Sequence, residues 1–109
     1  MWLLTSIGFF SVVADRHDPA RLLVRARAHE DLEALRQGYL PNLVIIEDAG
    51  TDYRFRAFIE RGAFERAATA LVADIDYPNF KDVVARRQGA ERAHLYALIW
   101  STLYRLQER

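Results

Sequence analysis

A short basic pattern occurs twice in this chain, and its repetition constrains the fold more than any other feature. Arg25-Ala26-Arg27-Ala28 closes one strand-like run, and Arg54-Phe55-Arg56-Ala57 lies inside another. Each belongs to a strand–turn–strand–helix stretch, so the chain reads as two loose copies of a ββα module. Residues two apart on a strand share a face, so each Arg-x-Arg pair points one way. In a common sheet, up to four arginines would share one surface.

The strands around these patterns follow from local chemistry. Trp2 to Thr5 is short and apolar, and Ser6-Ile7-Gly8 is a turn or bulge. Phe9 to Asp15 is rich in aromatic and β-branched residues, hence a strand. His17-Asp18-Pro19-Ala20 is turn chemistry. Leu22 to Ala28 alternates Leu22, Val24, Ala26 and Ala28 against Leu23, Arg25 and Arg27, a period-2 strand with a basic face. Leu43 to Ile46 is a continuous apolar run, which predicts a central strand covered on both faces. Asp48-Ala49-Gly50-Thr51-Asp52 is a hairpin turn. Tyr53 to Arg61 is a further strand, with Tyr53, Phe55, Ala57 and Ile59 on one face and Arg54, Arg56, Phe58 and Glu60 on the other.

Helical spacing governs the rest. His29 to Gln37 predicts a short helix, with Leu32, Leu35 and Tyr39 buried and Gly38 as its stop. After Gly62, Ala63 to Asp74 predicts a second, with Phe64, Ala67, Ala68, Leu71 and Ile75 on one stripe. Pro78 breaks the chain, and Asn79 can cap a third helix with Asp82 in its first turn and Phe80, Val83 and Val84 on its apolar face. Gln88-Gly89 ends it. Ala90 to Gln107 predicts the longest helix, with Leu95, Leu98, Ile99, Thr102 and Leu106 as a core stripe and Tyr96, Trp100, Leu103 and Tyr104 as a second. The expected fold is α+β: a four-stranded antiparallel sheet with helices on one face, ferredoxin-like or its permuted ββαββα form, and an extra C-terminal helix.

Length and composition bound the function. A chain of 109 residues reads as one domain, residues 1–109. Fifteen basic residues balance fifteen acidic ones, so no global field draws the chain to nucleic acid or to an anionic membrane. The absence of cysteine excludes disulfides and thiol catalysis and fits a reducing cytoplasm. Met1 to Ala14 has the length of a signal-peptide apolar region, but no Lys or Arg precedes it and Thr5, Ser6 and Gly8 interrupt it. It is too short to span a bilayer as a helix and reads as a strand or hairpin.

The segments TDYRFR, DYPNFKD and RAHLY, the last opening a Trp-containing helix, resemble a group of small bacterial proteins of uncharacterised activity. The resemblance covers most of the chain. It implies a compact domain and carries over no substrate, cofactor or catalytic residue.

Four groups of residues are candidates for function. Arg25, Arg27, Arg54 and Arg56, with Phe58 on the same strand face, suit a phosphate or carboxylate, because a guanidinium donates two parallel hydrogen bonds. An aromatic beside arginine is also how sheets stack bases, which makes a nucleotide or RNA a possible ligand. The competing reading is that these arginines pair with Glu47, Glu60 or Asp15 on a solvated face. Asp74, Asp76 and Asp82 have carboxylates that can hold Mg²⁺ or Ca²⁺, but Pro78 and Asn79 explain that segment as a break and cap. His17, His29 and His94 lack partners at metal-ligand spacing, and the one Glu91-x-x-His94 pair lacks the second pair a di-iron bundle needs. Tyr96, Trp100, Leu103 and Tyr104 form the fourth group, a ridge suited to a protein partner or a second copy of the chain. The sequence therefore predicts a cytoplasmic, non-catalytic domain with no metal and no cofactor. It self-associates or binds a protein through aromatic residues of the last helix or through the open sheet face. The alternative is an anionic-ligand module on the arginine face.

Overall fold

The strands and helices of the computed structural model are described for residues 1–48 and 50–108. Ala49, inside the expected hairpin turn, lies outside the described residues. In chain order the elements are β1 (Trp2–Leu4), β2 (Phe9–Ala14), β3 (Arg21–Ala26), α1 (His29–Gly38), β4 (Ile46–Glu47), β5 (Phe55–Glu60), α2 (Arg61–Ala73), α3 (Phe80–Gln88) and α4 (Ala90–Leu103), with a 3-10 turn at Tyr104–Leu106. Contacts group them into two compact units. The first holds Met1–Leu4 and Gly8–Asp76, and the second holds Thr5–Ile7 and the residues from Tyr77 onward.

The first unit is an α+β sheet domain. Its five strands run in the order β1-β2-β3-β5-β4, and every neighbouring pair is antiparallel. The expected four strands are thus five, because Trp2–Leu4 folds back onto β2 in the register Trp2↔Ser11, Leu3↔Phe10, Leu4↔Phe9. That pairing covers N–H and C=O groups that would otherwise line an open edge. Alternation on β3 is clean: Leu22, Val24 and Ala26 are buried while Leu23 and Arg25 are only half-buried. Phe10 and Val12 of β2 and Ala57 of β5 join the buried set. Helices α1 and α2 both pack on β3 and β5. They contribute Leu32, Leu35, Phe64 and Ala67 to the core.

Four expectations are corrected here. Leu43–Ile46 is not a central strand: β4 is only Ile46–Glu47, pairs on one side, and leaves Val44 70% exposed while Leu43 alone is buried. An apolar run does not reveal its position in a sheet, because that is set by which strand edge remains free. Helix α2 starts at Arg61, so Gly62 lies within its first turn rather than before it. The end of the α2 stripe fails too: Ile75 lies beyond the helix and is 55% exposed. At the end of α1, Leu40 is buried instead of Tyr39, whose hydroxyl donates to Asp74 Oδ2 at 2.5 Å.

One acidic side chain is part of this core. Asp31, in the first turn of α1, is 3% exposed, and its Oδ2 accepts the Phe9 backbone N–H at 2.9 Å. Gly8 lies against it so closely that an added Cβ would sit 2.7 Å from Asp31 Cβ and Cγ.

The second unit is helical. Asn79 caps α3 as expected, its side chain accepting the Asp82 N–H at 3.0 Å. Gly89 joins α3 to α4 in one residue at φ 99°, a conformation that suits glycine because it lacks Cβ. Val83, Val84, Ala93 and Tyr96 are buried. The Tyr96 ring stacks on Phe80 with centroids 5.9 Å apart, and its hydroxyl lies 3.4 Å from the Thr5 carbonyl oxygen. Arg87 Nη1 donates to Ser6 Oγ at 2.9 Å, and Gln88 Nε2 to the Thr5 carbonyl at 3.2 Å. The expected core stripe of α4 is not a core: Leu95, Leu98, Ile99 and Leu106 are exposed. No helix among the described residues is long and apolar enough to cross a membrane.

Candidate binding surfaces

The arginine pattern resolves into two different environments. Arg25 and Arg56 are register partners on β3 and β5, so their side chains leave the same face of the sheet side by side. They lie in a row that crosses all five strands: Trp2, Ser11, Arg25, Arg56 and Ile46. The next row holds Val13, Leu23 and Phe58. The face away from the helices is therefore apolar at its ends and cationic in the middle. Arg54 stands apart from this row. It is exposed, and its Nε donates to Glu47 Oε1 at 2.7 Å, the cross-strand pairing that the competing reading expects.

Tyr53 organises the centre of the patch. The sequence puts it on the face opposite the arginines, but it precedes β5, so strand alternation does not bind it. It is 4% exposed, and the guanidinium carbons of Arg25 and Arg27 lie 4.7 and 4.8 Å from its ring centroid. Arg56 Nη2 donates to the Tyr53 carbonyl at 3.4 Å, and Arg25 Nη2 to Ser11 Oγ at 2.8 Å. Three guanidiniums thus gather at one tyrosine. Among the described residues no carboxylate is within salt-bridge distance of them, and the Nε–H groups of Arg25 and Arg56 are buried without an acceptor.

A neighbouring arginine that the sequence reading passed over has the opposite fate. Arg21 Nη2 donates to Asp15 Oδ2 at 2.7 Å, and its guanidinium carbon lies 4.9 Å from the Phe58 ring centroid. Phe58 is thus 40% exposed with one cation already over it. Asp15 is held below the ordinary carboxylate value near 3.8, first by the His17 backbone N–H and then by Arg21. A carboxylate with a depressed pKa stabilises the fold fully above its unfolded value and loses that contribution as pH falls through the folded one. Asp15→Asn is therefore expected to be less stable than the parent at pH 6. The gap should close below about pH 3.8. Urea denaturation at several pH values checks this, and a gap independent of pH would remove the ion pair as its cause.

The last helix carries the other surface. Of the expected ridge, Trp100, Leu103 and Tyr104 are 68%, 56% and 47% exposed, whereas Tyr96 is buried on Phe80. The Trp100 and Tyr104 rings sit 5.5 Å apart. Leu95, Leu98 and Ile99 extend the apolar surface, a set the sequence assigned to the core.

The remaining candidates are dispersed. His29 packs its ring edge on Phe55 at 5.4 Å, the backbone N–H of His17 donates to Asp15, and His94 is exposed beside no second histidine–carboxylate pair. Asp74 accepts from Tyr39, and Asp82 serves the α3 cap through its backbone. Among the described residues no three His, Asp or Glu side chains are placed to hold a metal ion. A cleft of about 560 Å³ in the sheet unit is lined in part by Tyr39, Leu43, Phe58, Glu60 and Arg66. No family model, curated protein or solved structure matches this chain.

Proposed function

We propose that this chain is a non-catalytic binding domain that associates with a second copy of itself through α4. The observation that carries this reading is the apolar surface of that helix, where Leu95, Leu98, Ile99, Trp100, Leu103 and Tyr104 are all exposed. Monomeric proteins rarely leave contiguous apolar patches of this kind in water, and Trp and Tyr are enriched where partners dock. A self-complementary helix face is the simplest partner for such a surface, because a two-fold interface uses the same patch twice. We place the domain in the cytoplasm, since it has no cysteine to pair in an oxidising compartment.

The sheet unit fits the role of a scaffold. We read it as a permuted ferredoxin-like fold with one added edge strand. Moving the last strand of that fold to the front gives the ββαββα order, and the order β2-β3-β5-β4, with a helix after β3 and another after β5, supports this reading.

Light scattering at micromolar concentration tests the association. Twice the chain mass of 12.6 kDa is the expected result. A monomer at all concentrations would overturn the reading, and a defined complex with a different protein but no self-association would replace the second copy with that partner.

A further inference from the structure

We propose that the cross-strand pair Arg25 and Arg56, with Arg27, forms a binding site for a phosphate group, separate from the association of α4. Like charges directly opposite on neighbouring strands destabilise a sheet. Here two guanidiniums occupy such a pair at the centre of a five-stranded sheet. A third, Arg27, shares the Tyr53 ring with Arg25. Three other arginines of this unit have carboxylate partners: Arg21 has Asp15, Arg36 has Glu33 and Arg54 has Glu47. Glu47, on the strand paired with β5, is taken by Arg54.

The donors point the same way. The Nε–H groups of Arg25 and Arg56 are buried and have no acceptor, a cost that folded proteins seldom leave in place. An oxyanion held between the two forks supplies both acceptors and the missing negative charge. Phosphate fits better than a single carboxylate, because three cations meet a dianion and its oxygens can receive both forks at once. Ser11 is positioned as a further donor, since its hydroxyl already lies 2.8 Å from Arg25 Nη2.

The test uses the whole chain with inorganic phosphate as the probe and chloride at matched ionic strength as the reference. Phosphate is expected to raise the thermal midpoint above the chloride reference and to shift two arginine Nε–H resonances. Arg56→Gln is expected to weaken phosphate binding at least about tenfold, the loss of one charge-assisted contact, and to raise the midpoint in chloride by removing the like-charge opposition. Arg25→Lys keeps the charge and loses the fork, so partial binding is expected. Should Arg56→Gln fail to fold, Arg56→Lys carries the same test. A nucleoside monophosphate arm separates sources: tighter binding than free phosphate supports a nucleotide-borne group, and equal binding supports the free ion. Equal effects of phosphate and chloride on the wild-type chain would overturn the site. So would phosphate stabilisation that survives both Arg56 substitutions unchanged.

Discussion

Replacing Gly8 with alanine is expected to destabilise the sheet unit by about 1–3 kcal/mol, the range for forcing extra atoms into a packed core, and valine is expected to prevent it from folding. The new Cβ would stand 2.7 Å from both Cβ and Cγ of Asp31 and 3.1 Å from its Oδ2. Those atoms cannot move away cheaply. Asp31 is 3% exposed, and its Oδ2 holds the Phe9 N–H at 2.9 Å, so displacing it would break that bond and strand a buried carboxylate. The lock matters for topology, since Phe9 is where β2 begins and where β1 ends its pairing through Leu4. Gly62→Ala is the control: the added Cβ meets nothing nearer than Arg66 Nη1 at 3.5 Å, and alanine should gain up to about 0.5–1 kcal/mol in a helix. Urea unfolding of both variants decides it. A Gly8→Ala chain as stable as the parent would show that Asp31 is not fixed.

Strand periodicity was legible wherever one face alone decides burial. Leu22, Val24 and Ala26 alternate with Leu23 and Arg25 in the sequence, and their burial alternates in the structure. What depends on pairing was not legible. The run Leu43–Ile46 has the composition of a central strand, yet only its last residue, Ile46, pairs, together with Glu47 at the edge, because β5 had one side free and β3 held the other. The Asp31 carboxylate was missed for a related reason. An acid in a first turn normally reads as a complement to the helix dipole, and nothing local says that a distant strand will donate to it.

The arginine surface shows the same boundary. The two Arg-x-Arg repeats suggest one basic face, but the offset between β3 and β5 decides which members meet. It brings Arg25 opposite Arg56, while Arg54 falls before β5 and pairs with Glu47. The acid-pairing alternative therefore describes Arg54 and not the central pair. On α4, helical spacing identified the apolar positions, and spacing alone cannot say which of them a second layer covers. Tyr96 is covered and Leu95, Leu98 and Ile99 are not.

Trp100→Glu is expected to raise the dissociation constant for self-association by about 30-fold or more, corresponding to the roughly 2 kcal/mol or greater cost typical of a central interface aromatic. Trp100 is 68% exposed, with the Tyr104 ring tilted beside it at 5.5 Å, so most of its apolar surface faces solvent in the single chain. A carboxylate there must be desolvated on association, and its neighbours one turn on, Leu103 and Tyr104, offer it no cation. The folded chain itself should tolerate the change, since substitutions at exposed positions stay within about 0.5 kcal/mol. The comparison must be made at a protein concentration where both chains are monomeric, because association adds apparent stability by mass action. Val44→Glu serves as the control: Val44 is 70% exposed but lies beside the sheet edge, and its substitution should leave the association constant unchanged. Sedimentation or light scattering across a concentration series separates the outcomes. If Trp100→Glu associates as tightly as the parent, α4 is not the surface that joins the copies.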